Sequence, residues 1–175
     1  MFNTDIILVL RVYLISFLLQ LISFPLTKSI FNKLPDSGYP VSRLLTTLMA
    51  GLIIWELANF GLAVNTDQGL ILTTAGLVAI NLAIILKRGW SSIRISKETL
   101  KMILIEEYLF FIGLFGMAFI RGYLPNIDSL EKFMDFGFVN SYLRSPTLPA
   151  NDMWQAGKAI NYYSFGHFWS SICIR

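Results

Sequence analysis

Four apolar stretches, each long enough to cross a bilayer, restrict what this chain can fold into more than any other feature does. A crossing takes about 20 mostly apolar residues, and within hydrocarbon each segment must pair its own backbone N–H and C=O groups, which favours helices. The first stretch covers residues 6–26 and carries Arg11 and Gln20. The second, 44–64, is interrupted by Glu56 and Asn59, and the third, 69–86, is apolar except for Thr73, Thr74 and Asn81. The fourth, 102–120, contains the adjacent acids Glu106 and Glu107. A fifth apolar run opens near Ile160 and reaches Arg175 about 16 residues later, too short to span. The expected fold is an all-α integral membrane protein with four transmembrane helices and the start of a fifth. A loop bearing a short amphipathic helix precedes that fifth run. Because the run ends without a Gly or Pro stop, the chain reads as an N-terminal fragment of a longer membrane protein.

Composition narrows the function classes. Charged residues make up 14% of the chain, against about 25% in soluble domains. Cys and His occur once each, which excludes a disulfide scaffold and a His/Cys zinc site within one copy. A net charge of +3 spread over a hydrophobic chain gives no nucleic-acid-binding face. The first stretch is also no secretory signal: nothing basic precedes it, Asp5 stands at its start, and no small-x-small cleavage site follows.

The basic residues set a direction. Lys28, Lys33 and Arg43 fall between the first and second stretches, and Lys87, Arg88, Arg94, Lys97 and Lys101 between the third and fourth. The connection at residues 65–68 has none. The positive-inside rule then puts both basic connections in the cytoplasm of a multi-pass protein of the cell membrane. The N-terminus and residues 122–159 are expected outside. Ala75, Ala79 and Ala83 recur at four-residue spacing in the third stretch, which would allow close helix–helix approach in lipid.

Residues 1–101 thus form an N-terminal set of helices and basic connections, and residues 102–175 a region of different composition. From residue 122 to 159 the chain holds Pro125, Pro146 and Pro149 and the acids Asp128, Glu131, Asp135 and Asp152. Its centre predicts a helix over 129–143, on which Asp128, Glu131 and Asp135 share one face at i, i+3 and i+7. Leu130, Phe133, Met134, Phe138 and Val139 make the remainder apolar, as suits a helix at the membrane surface. Clustered carboxylates repel one another unless one holds a proton, and a carboxylate so tuned can serve as a general base. Asp128 with Glu131 also fits a loose capping box, whereas Asp135 has no such excuse. Prolines hold RSPTLP extended, Asp152 can cap a turn that includes Trp154, and Gly157 permits a tight bend. On a following helix Tyr163 and His167 would share a face, and Tyr162 would face Gly166. Such aromatics suit an interfacial belt, while an ionisable His167 further along is costly without a purpose. Glu106 and Glu107 point about 100 degrees apart on a helix, so at least one should face the protein interior. Arg11 is a candidate partner, and a buried structural pair or a proton relay are the alternatives.

These residues carry a resemblance. Glu131-Lys132-Phe133-Met134-Asp135-Phe136, then Asn140, Arg144-Ser145-Pro146, Pro149, Asp152, Trp154, Gly157, Asn161-Tyr162-Tyr163 and Phe165-Gly166 resemble the signature of the YYY membrane protein family, named for a triple tyrosine. The similarity runs from about Glu106 to Phe168; the first hundred residues match only in hydrophobicity. The triple tyrosine is here Tyr162-Tyr163-Ser164, and Phe133 stands where the family usually has proline. The family is similar in architecture to multi-span glycosyltransferases of the C type, which use polyprenyl-phosphate sugars. The resemblance implies Asp135, or failing it Glu131, as the catalytic base of sugar transfer to a hydroxyl acceptor. It implies Arg144 and Lys158 as phosphate ligands and Trp154, Tyr162 and Tyr163 as sugar-stacking groups, with Asp152 and His167 completing the substrate contacts. The expected partners are the lipid bilayer and a polyprenyl-phosphate sugar. No cofactor is demanded, although the external carboxylates could hold a divalent metal ion through oxygen ligands. The competing classes are a proton-coupled transporter using Glu106, Glu107 and His167, and a noncatalytic membrane scaffold.

Overall fold

The computed structural model describes residues 2–123, 125–161 and 164–175. Among them lie six α-helices: α1 (Phe2–Ile30), α2 (Tyr39–Asn59), α3 (Asp67–Arg88), α4 (Lys97–Tyr123), α5 (Leu130–Arg144) and α6 (Ser164–Ile174). A 3₁₀ turn, Gly89–Ser92, lies between α3 and α4. The extended pairing among the described residues is one isolated bridge, Asn151 with Ala159. Helices α1 to α4 supply the membrane-spanning segments Ile6–Ile30, Tyr39–Asn59, Asp67–Arg88 and Lys97–Tyr123. Their outward apolar side chains include Leu72, 72% exposed, and Leu86, 85% exposed, the surface expected of helices solvated by lipid. Ala75, Ala79 and Ala83 are exposed as well, so their stripe carries no helix–helix packing among the described residues.

By internal contacts the chain divides into two compact units, Met1–Thr46 with Val78–Pro125 and Thr47–Leu77 with Asn126–Arg175. The first unit buries a small apolar cluster of Phe24, Tyr39 and Ile103. Pro25 lies inside α1, where it cannot donate a helical hydrogen bond. Asn81 of α3 accepts from the neighbouring Leu26 N–H at 3.0 Å, the kind of outside partner that lets a membrane helix carry a proline. The connection between α1 and α2 spans residues 31–38 and closes at Gly38, with φ +72°. A Cβ there would come within 2.8 Å of Phe31 Cβ, so both the backbone conformation and the space favour glycine.

Arg43 belongs to the beginning of α2, where the sequence reading placed it in a basic connection. Lys28 likewise ends α1, while Lys97 and Lys101 lie in α4. α4 runs further than its apolar stretch because Lys97 and Lys101 can sit at a helix end with their charges reaching out of the lipid, whereas Arg43 is buried in α2 beside Glu107.

The second unit is built on α5 and α6. Phe138, Tyr142, Phe168 and Ile172 form a core with Ile54 and Ala58 of α2, and Trp55 packs against it. Tyr142 meets Phe168 edge-on, ring centroids 5.7 Å apart. Asn65, fully buried before α3, donates to the carbonyls of Tyr142 at 2.7 Å and Ser145 at 2.6 Å. These bonds add a partner to the Tyr142 carbonyl, which also accepts from Ser145 N–H at 3.3 Å, and supply one to the carbonyl of the C-cap Ser145. Residues 146–149 bend where an extended run was expected. Backbone bonds from Asn65 N–H to Pro146 O at 3.0 Å and from Leu148 N–H to Ala58 O at 3.1 Å hold that bend.

Candidate functional site

The spacing of α5 explains which of its acids reaches a pocket. Asp135 shares a helix face with the buried Phe138, Val139 and Tyr142, at i, i+3, i+4 and i+7. That face packs on α6, and Asp135 Oδ1 lies 2.9 Å from His167 Nε2. The His167 side chain is 14% exposed and Asp135 51% exposed, so the imidazole is enclosed while the carboxylate reaches the surface. Phe138 meets the imidazole edge-on at 5.3 Å between centroids and fixes the plane of the ring. An ionised carboxylate can only accept, so Nε2 is the donor whether the imidazole is neutral or charged.

Around this pair opens a pocket of about 650 Å³ lined by Asp135, Val139, Phe165, Gly166, His167, Trp169 and Ser170. Phe165 and Trp169 give it aromatic walls, and Ser170 donates back to the Gly166 carbonyl at 2.9 Å. The Trp169 indole N–H is buried with no hydrogen-bond partner. The adjoining Cδ1 edge of the indole packs on Gly51 of α2, so this N–H is enclosed by the protein and costs about 1–3 kcal/mol unpaired. An acidic acceptor with a histidine beside it and aromatic walls can bind a polar organic molecule and take a proton from its hydroxyl.

The remaining candidates separate. Glu131 is exposed in the first turn of α5 and does not line the pocket. Asp128 lies before the helix, so it does not share a helix face with Glu131 and Asp135. The cap is Ser129, whose hydroxyl accepts from Lys132 N–H at 3.3 Å; a serine one residue nearer the helix displaces the predicted capping aspartate. Asp152 does form the expected turn, its Oδ1 accepting from Trp154 N–H at 2.7 Å and Gln155 N–H at 3.0 Å. Gly157 closes that loop with φ +76°. Trp154 is half exposed and stacks edge-on with Phe138 at 5.9 Å. Arg144 and Lys158 are exposed and line no part of the pocket; the Lys158 backbone pairs with Asp152 and Gln155. Tyr162 and Tyr163 lie outside the described residues. Among the described residues no three His, Cys, Asp or Glu side chains are placed to hold a metal ion.

The acids of α4 have partners other than the predicted Arg11. Glu107 receives Arg43 Nη2 at 2.8 Å on Oε1 and 2.7 Å on Oε2, and the Tyr39 hydroxyl at 2.9 Å. Gln20 Oε1 accepts from Arg43 Nε at 2.7 Å, and its amide donates to the Tyr39 carbonyl at 2.8 Å. The guanidinium lies 3.5 Å over the Phe110 ring. This is a charge pair inside a membrane unit, bonded through Arg43 Nε and Nη2, while the buried Arg43 Nη1 has no hydrogen-bond partner. Glu106 has a buried Oε2 with no hydrogen-bond partner.

Sequence reasoning missed three groups. Trp169 went unnamed, and Phe165, named only as part of the family signature, was given no role; the two lie four residues apart on α6 and both line the pocket. Gln20 and Arg43 were visible as polar residues at apolar segments, but nothing in the chain told which acid they would meet. Arg175 was taken only as the end of the chain. Its 7%-exposed side chain donates to Leu143 O at 2.9 Å and Asn65 Oδ1 at 3.3 Å and lies 3.4 Å from Asp67. Burial lowers the pKa of that guanidinium, and the Asp67 charge opposes the shift.

Fold and site together define an all-helical integral membrane protein with a polar, aromatic-walled pocket between α5 and α6. Residues 49–175 match the family model described as uncharacterized membrane protein (DUF2298), and the chain belongs to that family. No curated protein and no solved structure matches it.

Proposed function

We propose that this protein is a membrane glycosyltransferase-like enzyme in which Asp135 is the catalytic base and His167 the residue that orients it. The observation that carries the reading is the 2.9 Å bond between the Asp135 carboxylate and His167, on the wall of a pocket also lined by Phe165 and Trp169. The choice of sugar transfer rests on the resemblance to the YYY membrane protein family and to multi-span transferases that use polyprenyl-phosphate donors. Such likeness of architecture supplies the reaction class, and the pocket's groups supply the roles.

In the proposed step an acceptor hydroxyl gives its proton to Asp135 as its oxygen attacks the anomeric carbon. The bond from that carbon to the phosphate oxygen breaks, and its electron pair leaves with the polyprenyl phosphate. His167 donates to the carboxylate and holds its orientation toward the acceptor, while Phe165 and Trp169 offer faces to the apolar side of a sugar ring. The site would face the non-cytoplasmic side, as the basic connections 28–43 and 87–101 suggest. Glu131, Arg144 and Lys158 could join only from outside the pocket lining. Tyr162 and Tyr163 keep the stacking role the resemblance implies.

Purified protein is supplied with a polyprenyl-phosphate hexose and an alcohol acceptor, and released polyprenyl phosphate is measured. Asp135→Asn should reduce turnover by about 10²–10⁴-fold, the range general base catalysis supplies, without changing the Tm. Unchanged turnover in that variant refutes the role of Asp135.

A further inference from the structure

A second site lies in the other unit, at the connection from α3 to α4. Residues 87–101 hold Lys87, Arg88, Arg94, Lys97 and Lys101 against one acid, Glu98. Arg94, Ile95, Ser96 and Lys97 line an open pocket of about 520 Å³. The Lys28 ammonium donates to the Arg94 carbonyl and ties the end of α1 to this connection. Ile95 packs against the cluster of Phe24, Tyr39 and Ile103, so the pocket floor is anchored while the Arg94 and Lys97 side chains remain exposed. Thr99 donates to the Pro35 carbonyl at 3.1 Å, which fixes the start of α4 beside the α1–α2 connection. Trp90 stands 80% exposed one turn before Arg94, whose N–H bonds to the Trp90 carbonyl at 3.0 Å.

We propose that the Arg94–Lys97 pocket binds the phosphate headgroup of an anionic phospholipid, with Trp90 inserted at the level of the interface beside it. Three features converge on this occupant. Two cations face a cavity large enough for a phosphate group. An exposed tryptophan stands next to them, as at the edge of a lipid layer. The adjoining helices α3 and α4 present outward apolar faces to acyl chains, including Leu86 and Leu104. Basic pockets at the ends of membrane helices bind acidic headgroups by this chemistry, and arginine adds bidentate contacts to phosphate oxygens. The inference does not depend on the sugar-transfer reading.

The test uses the detergent-purified chain titrated with dibrominated phosphatidylglycerol or dibrominated phosphatidylcholine, whose bromines quench nearby tryptophan. The expected result is a saturable component of the quenching by phosphatidylglycerol that Trp90→Phe removes from the signal of the four tryptophans, and that is much weaker with phosphatidylcholine. Arg94→Gln/Lys97→Gln should weaken the apparent affinity by about 30-fold, from roughly one kcal/mol per interfacial cation. Lys132→Gln, which removes a charge elsewhere, should leave it unchanged. Equal quenching by both lipids, an unaffected double variant, or an equal loss in Lys132→Gln would overturn the proposal. Displacement of the lipid by an equimolar amount of inorganic phosphate would also overturn it, because the site would then be one for free phosphate.

Discussion

Replacing Arg43 by methionine removes the cation that neutralises Glu107 and keeps the Tyr39 hydroxyl bond to that carboxylate. With charge centres about 4 Å apart and an effective dielectric constant near 20, the attraction is on the order of 4 kcal/mol. Removing one member of a buried pair commonly costs about 3–5 kcal/mol, because the other charge stays behind unpaired. Arg43→Met also strips Gln20 Oε1 of its donor and removes the guanidinium stacked on Phe110. For a chain of this length each kcal/mol moves the melting midpoint by about 2–4 °C, so the single variant should melt roughly 6–20 °C lower. Glu107→Gln should cost less, since a neutral amide oxygen can still accept from Arg43. The double variant Arg43→Met/Glu107→Gln has no charge left to strand. It should recover to within about 2 kcal/mol of wild type, because replacing a buried pair as a unit is often close to neutral. Tryptophan-fluorescence melting in one detergent, at a fixed scan rate, ranks the four proteins. The reasoning fails if Arg43→Met melts like wild type, or if the double variant loses as much as the two single losses added together.

The sequence made the spans legible because twenty-residue apolar runs have few alternatives in lipid. It placed α5 within a residue of its observed ends, since the period of Phe138, Val139 and Tyr142 is a helical one. Ends governed by polar side chains were harder. Arg43 and Lys97 were assigned to connections because charge was read as a boundary, whereas Arg43 is held inside α2 by Glu107. The cap of α5 shifted from Asp128 to Ser129 for an equally local reason: both residues suit the position, and the choice depends on where the first turn starts. Asp135 and His167 were each suspect on their own segments, yet 32 residues separate them and only the packing of α5 on α6 brings them together. Arg144 and Lys158 were chosen for their charge, but the spacing that carries Asp135 toward α6 leaves both outside the pocket lining.

Two further outcomes follow from the local structure. Ser129→Ala should destabilise α5 by about 1 kcal/mol, the usual loss for a side-chain cap, while Asp128→Ala changes the melting midpoint little; differential scanning of the two variants checks this. In a Cys173→Ser background, Phe136→Cys should react with a membrane-impermeant maleimide added outside intact cells, because Phe136 is 55% exposed beside the proposed external site; labelling only after the cells are opened would reverse the orientation.

The most direct test of the central claim is the single-turnover rate of sugar transfer in a double-mutant cycle on Asp135 and His167. If the two act as one base unit, Asp135→Asn slows the step by about 10²–10⁴-fold. His167→Gln should slow it by a smaller factor, and the double variant should be no slower than Asp135→Asn alone. Two losses that multiply, or an Asp135→Asn enzyme at the wild-type rate, would contradict the account.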